Sequence, residues 1–149
     1  MTSPGLPLID IGGALDLLAD AVRERGEYFA YPLAVGGACA CLYSRRSGAR
    51  CLVGRALSLA HVSDSDLDAL GDRGVRELYR RGELPVRLTI GALVVLDAAQ
   101  RTQDRGYSWG DALDYANSVA VRFLDLVPDR LFDAYRPPAA PGCDPPLSA

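Results

Sequence analysis

The sequence contains no lysine: all sixteen basic residues are arginine, set against nineteen acidic ones for a formal charge of −3. Without lysine there is no P-loop of the form G-x-x-x-x-G-K-[ST], and G-x-G-x-x-G is missing as well, so neither glycine-rich phosphate cradle is present. The slightly acidic balance supplies no global field that would gather polyanions, and any nucleic-acid contact has to come from a local patch. Histidine is reduced to His61, which leaves one familiar candidate for general-base chemistry. The opening Met1-Thr2-Ser3-Pro4-Gly5 carries no basic segment followed by an apolar core and a small-residue cleavage site. The expected location is therefore cytoplasmic. The longest uncharged run, residues 28–44, is interrupted by Pro32 and by Gly36-Gly37 and reads as paired strands rather than a membrane helix.

What is present is the composition of an ordinary globular protein: 149 residues, 49% hydrophobic, 23% charged, mean hydropathy +0.05. A chain of this length buries about 70% of its unfolded surface and can build one core without staples. The expected fold is mainly α, a compact helical bundle of about six helices with a small antiparallel β-hairpin. Residues 1–9 are expected to be a flexible N-terminus. Residues 10–136 form the single helical domain, with the hairpin near 28–54, and 137–149 a disordered, Pro-rich tail. No internal repeat stands out.

Local patterns carry these expectations. Ile11, Ala14, Leu15, Leu18 and Val22 make a helical stripe, with Asp10 as its N-cap and Gly26 as its stop. Residues 28–35 and 38–44 flank Gly36-Gly37 as two strands flank a tight turn. Cys51 either ends a strand or opens a helix, and the spacing of Leu52, Ala56, Leu59 and Ala60 favours the helix. Ser63 begins a short capped helix that Gly71 closes, and the segment from Asp72 to Gly82 repeats the device. From Thr89 to Arg105 the centre is apolar almost all round, which marks a central helix; Asp97, Gln100, Arg101 and Asp104 read as its one solvated stripe. Ser108 caps the next helix after a turn at Gly106 so short that the two helices must lie antiparallel.

Cys39, Cys41, Cys51 and His61 combine the thiols and imidazole that hold structural zinc. Their spacing lacks the C-x₂₋₄-C knuckle, and with no leader to mark an oxidising compartment the expected state is reduced thiols serving as small core residues. No metal or other cofactor is expected. A Cys51–His61 dyad is ruled out if both belong to one helix, where ten positions span about 15 Å. The carboxylates at Asp64, Asp66 and Asp68 stand where a helix start favours negative charge, which accounts for them without catalysis.

Arg73, Arg76, Arg80, Arg81 and Arg87 form a local basic patch, interleaved with Glu77 and Glu83. Within it, the segment from Val75-Arg76-Glu77-Leu78-Tyr79-Arg80-Arg81 to Pro85-Val86-Arg87-Leu88 resembles the recognition helix and wing of excisionase-type winged helix-turn-helix proteins. The resemblance implies that Arg76 and Arg80 face a major groove and that Arg87 holds a phosphate. It departs from that pattern where Thr89 opens an apolar helix in place of a basic wing. A second set, Cys41-Leu42-Tyr43, Cys51-Leu52-Val53-Gly54, Leu88-Thr89, Ala99-Gln100, Gln103-Asp104-Arg105-Gly106 and Trp109-Gly110, resembles small proteins of high-GC Gram-positive bacteria and their phages. That resemblance spans roughly residues 10–125 and implies a shared fold, while bringing no activity or catalytic residue.

No reactive constellation emerges, so the favoured function is a non-catalytic accessory or regulatory protein acting through protein–protein contacts. The partner is unknown, a homo-oligomer is one form of it, and neither nucleic acid nor membrane is favoured as a partner. Its candidate contact residues are Tyr28, Tyr31, Tyr79, Tyr107 and Trp109. DNA binding by the Arg73–Arg87 segment is the alternative, and a metal or thiol site at Cys39, Cys41 and Cys51 a second one.

Overall fold

Two strand–cap–helix units of nearly the same local sequence, Ile9-Asp10-Ile11-Gly12 and Leu88-Thr89-Ile90-Gly91, lie side by side. They organise the computed structural model, which describes residues 6–30, 51–71 and 73–126. In the first unit β1 (Leu8–Ile9) leads into α1 (Ile11–Arg25); in the second β2 (Arg87–Leu88) leads into α5 (Ile90–Asp104). The strands pair in parallel, Leu8 opposite Arg87 and Ile9 opposite Leu88, with Arg87 N–H donating to Pro7 O at 2.9 Å and Thr89 N–H to Ile9 O at 3.1 Å. Each helix is then capped by its own side chain. Asp10 accepts from Gly13 N–H at 2.7 Å and Thr89 from Ala92 N–H at 3.2 Å, each satisfying one orphan donor of a first turn. Gly91 lets the two helix starts approach, since a Cβ there would lie 3.1 Å from Ile11 Cβ. The similarity of the two units is four residues long, too short to register as a repeat in the sequence.

Four further helices complete the described fold: α2 (Leu52–Leu59), α3 (Asp64–Leu70), α4 (Val75–Arg81) and α6 (Trp109–Leu126). As expected, α5 is the central element, buried continuously from Ile90 to Gln100. It turns through Gly106, in the left-handed region at φ 93°, into α6, which runs back along it. Ser108 caps α6 by accepting from Asp111 N–H at 3.1 Å, as the sequence indicated. Leu18, Leu52, Leu57, Leu67, Leu78, Leu93 and Leu96 are fully buried with Trp109 in one continuous core.

Several expectations need correction. The only sheet among the described residues is the parallel β1–β2 pair, so the antiparallel hairpin is not supported; its residues 31–50 lie outside the described residues. Leu8 and Ile9, assigned from the sequence to a loose N-terminus, form β1 because β2 offers them a partner far along the chain. The polar stripe of α5 is not solvated: Asp97, Gln100 and Asp104 are 5%, 3% and 8% exposed. Their periodicity was that of a wet face, but the N-termini of α2 and α4 lie against this part of α5, Leu52 N–H on Gln103 and Val75 N–H on Gln100.

Candidate functional site

The most distinctive surface lies where the end of α1 meets the start of α6. Gly26 ends α1 with φ 103°, and the following turn is closed by Phe29 N–H donating to Gly26 O at 3.1 Å. The start of α6 is held by this turn rather than by solvent: Trp109 N–H donates to Phe29 O at 2.7 Å and Gly110 N–H to Glu27 O at 2.8 Å. Ala30 and Ser108 add an antiparallel bridge. The approach requires a glycine, because a Cβ at Gly110 would sit 2.7 Å from Glu27 O and 2.9 Å from Glu27 Cβ. Two surface turns are thereby joined by backbone hydrogen bonds into one rigid corner.

Aromatic packing fills this corner from below. Trp109 is fully buried and meets Phe29 edge-on, with ring centroids 4.8 Å apart at 81°. The Arg25 guanidinium lies over both rings, 4.8 Å from the Phe29 centroid and 6.0 Å from that of Trp109. On the same two turns Tyr28 is 87% exposed and Tyr107 55% exposed. Of the expected contact residues, the corner thus brings together Tyr28, Tyr107 and Trp109, with Trp109 as its buried support. Tyr79 is half-buried on α4 against the core, and Tyr31 lies outside the described residues. Arg25 and Phe29 were not singled out in the sequence, since their value comes from a contact with Trp109 far along the chain.

A second polar assembly lies inside the molecule, on α5. Gln103 is fully buried; its side-chain oxygen accepts from Leu52 N–H at 2.6 Å, and its amide nitrogen donates to Asp104 at 2.9 Å. Gln100 accepts from Val75 N–H at 2.8 Å, supplying the N-terminal cap that α4 lacks in its own side chains. Burial pushes the Asp104 carboxyl up to about 6, opposed by the hydrogen bond from Gln103. Burial also raises Asp97, against the attraction of Arg101 and Arg76. Gln103 and Gln100 thus cap α2 and α4 from α5, while Asp97 pairs with Arg101 and Asp104 with Gln103 on α5 itself.

The basic segment is largely engaged within the chain. Arg73 pairs with Glu83 and Arg81 with Glu77, Arg76 faces the buried Asp97, and Arg87 donates to Leu6 O at 3.2 Å. Arg80 is exposed. Where a wing would follow the helix, β2 instead pairs in parallel with β1.

Among the cysteines, Cys51 is fully buried and its sulfur accepts from Gly54 N–H at 3.3 Å as the N-cap of α2. It is disulfide-bonded, which corrects the expectation of a reduced thiol at this position. The bond removes the thiolate that metal binding or nucleophilic attack requires. Cys39, Cys41 and Cys143 lie outside the described residues. Among the described residues no group of three or more His, Cys, Asp or Glu could hold a metal ion.

His61 has a structural role. It takes φ 70° just after α2, with His61 N–H donating to Ser58 O and Val62 N–H to Leu57 O at 3.0 and 3.1 Å. That is a Schellman motif with histidine where glycine is usual. No helix among the described residues is long and apolar enough to cross a membrane. Comparison of the chain with protein-family models, curated proteins and solved structures gives no match.

Proposed function

We propose that this protein is a non-catalytic accessory or regulatory factor that works through protein–protein contacts, with the corner of Tyr28 and Tyr107 as its contact surface. The observation that carries this reading is two strongly exposed tyrosines on turns that backbone hydrogen bonds tie together at a buried tryptophan. Tyrosines presented on a rigid support offer large contact area with little conformational entropy to lose, the usual make-up of an interface anchor. A homo-oligomer is one form this takes, and the partner remains a protein of unstated identity.

The test is site-specific photo-crosslinking with a benzophenone amino acid at position 28, at position 107 and, as a control, at exposed position 69. A discrete adduct formed in cells from 28 and 107 and not from 69 supports the reading; equal adducts from all three, or none, overturn it. Sedimentation across a concentration series identifies a second copy as the partner if association is lost in Tyr28→Ser with Tyr107→Ser. No specific observation favours the DNA-binding alternative, because Glu83 and Glu77 neutralise Arg73 and Arg81 and the segment continues into a buried helix. The cytoplasmic location stays part of the proposal, and the Cys51 disulfide, which a reducing compartment opposes, is the feature that bears on it.

A further inference from the structure

Arg25 differs from the other arginines at its end of the molecule. Arg23 pairs with Asp20 at 2.7 Å, and Arg55 makes a two-pronged pair with Glu24 at 2.5 and 2.7 Å. Among the described residues no carboxylate pairs with Arg25, whose guanidinium is held instead by the faces of Phe29 and Trp109. The C-terminal end of α1 accounts for a cation at this position through the helix dipole, but not for its placement over two rings. Contact with two rings set at 81° to each other confines the guanidinium, and its N–H groups, which form no ion pair among the described residues, can receive a carboxylate through two parallel hydrogen bonds. The neighbouring backbone acceptors are already taken: Glu27 O by Gly110 N–H, Phe29 O by Trp109 N–H and Gly26 O by Phe29 N–H. The arriving group therefore has to bring its own acceptors. Tyr28, three residues after Arg25, and Tyr107, two before Trp109, are exposed apolar rings on the two turns that meet here.

We infer that Arg25 is a preorganised receptor for a carboxylate on the docking partner, so that the segment seated on this corner is acidic and apolar in turn. This deepens the contact-surface reading and rests on it. Arg25 is a binding residue here, and Phe29 and Trp109 position it.

Trp109 is the only tryptophan, so its fluorescence reports on the guanidinium above it. The probes are an acetylated, amidated pentapeptide of alternating leucine and glutamate and the same peptide with glutamine for glutamate. The glutamate peptide should perturb the emission saturably, bind at least about tenfold more tightly than the glutamine peptide and weaken as salt is raised. Arg25→Gln should abolish the difference between the peptides, and Arg25→Lys, which keeps the charge but not the fork, should lose most of it. Unchanged circular dichroism and thermal midpoint in both variants exclude a folding defect. Equal binding of the two peptides, no binding of either, or an unaffected preference in Arg25→Gln overturns the inference. Because crosslinking from positions 28 and 107 is measured separately, loss of the carboxylate preference with persistent crosslinks rejects Arg25 as receptor without rejecting the contact surface.

Discussion

The side-chain oxygen of Gln103, near the end of α5, lies 2.6 Å from the backbone nitrogen of Leu52, the first residue of α2. One helix is capped by the side chain of another, and both groups are buried. Replacing Gln103 by leucine leaves the Leu52 N–H without its acceptor in a dry interior, a loss of about 1–3 kcal/mol. Denaturant unfolding of Gln103→Leu should show a lower midpoint with an unchanged slope; an unaltered midpoint would mean that the N–H finds another acceptor.

The same glutamine touches Asp104, whose carboxyl is raised from 3.8 to about 6 by burial. At pH below about 4 the carboxyl is neutral in both the folded and unfolded chains. Between there and about pH 6 the folded state keeps a proton that the unfolded state releases, so stability is fully present at the acidic side and declines as pH rises through 6. The decline attributable to this group is at most about 3 kcal/mol. Asp104→Asn, compared with the parent chain from pH 4 to 7, should show a flatter profile; parallel profiles would remove Asp104 as the cause. The raised Asp97 acts in the same direction and persists in the variant.

His61 holds a left-handed conformation that glycine adopts without strain. His61→Gly should raise stability by roughly 0.5–1 kcal/mol, the relief of a left-handed backbone less the added freedom of the unfolded chain. A loss of stability in thermal unfolding would show that the imidazole makes a contact worth more than the strain.

Trp109 is fully buried, yet its indole Nε1 has no hydrogen-bond partner. The ring therefore contributes through packing on Phe29 and under Arg25. Trp109→Phe leaves a small cavity but also removes an unsatisfied donor, and should cost clearly less than Trp109→Ala, which should cost about 3–5 kcal/mol. A large loss in the phenylalanine variant would reveal a bond to that nitrogen.

The Cys51 disulfide is checked by counting thiols. Alkylation of the protein denatured without reductant, followed by mass measurement, should modify no more than two of the four cysteines, and all four after reduction. Reduction should lower stability by about 2–4 kcal/mol. Four reactive thiols before reduction would restore the reduced-thiol reading and support the cytoplasmic location.

Local chemistry was legible in the sequence wherever a residue acts on its own neighbours. Asp10, Ser63 and Ser108 cap the helices that follow them, and Gly71 and Gly106 end the helices before them, because capping depends on a few adjacent dihedrals. What depends on distant pairing was not legible. Asp97, Gln100 and Asp104 have the spacing of a wet face and become buried only because the starts of α2 and α4 settle over them. The same holds at the surface corner, where the sequence singled out Tyr28, Tyr107 and Trp109 as aromatics near turns but could not tell which two would stand in solvent. Arg25 looked like any other arginine at a helix end until Phe29 and Trp109 came beneath it.

The pairing of Ile9 with Leu88 sets an order of events during synthesis. When the first strand leaves the ribosome its partner has not been made, and the exposed N–H and C=O groups of residues 8 and 9 have nothing to bind until the second unit emerges. Residues 8 and 9 are thus one half of a clasp that cannot fasten until the other half exists. Once the full chain is present, α5 and α6 meet through contacts local in sequence whereas Ile9 and Leu88 lie far apart along it, so the antiparallel pair can form ahead of the clasp when the protein refolds. Shaving residues 1–9 should therefore leave the helical core intact and act mainly on how fast the first helix lets go, a change in unfolding rate more than in folding rate.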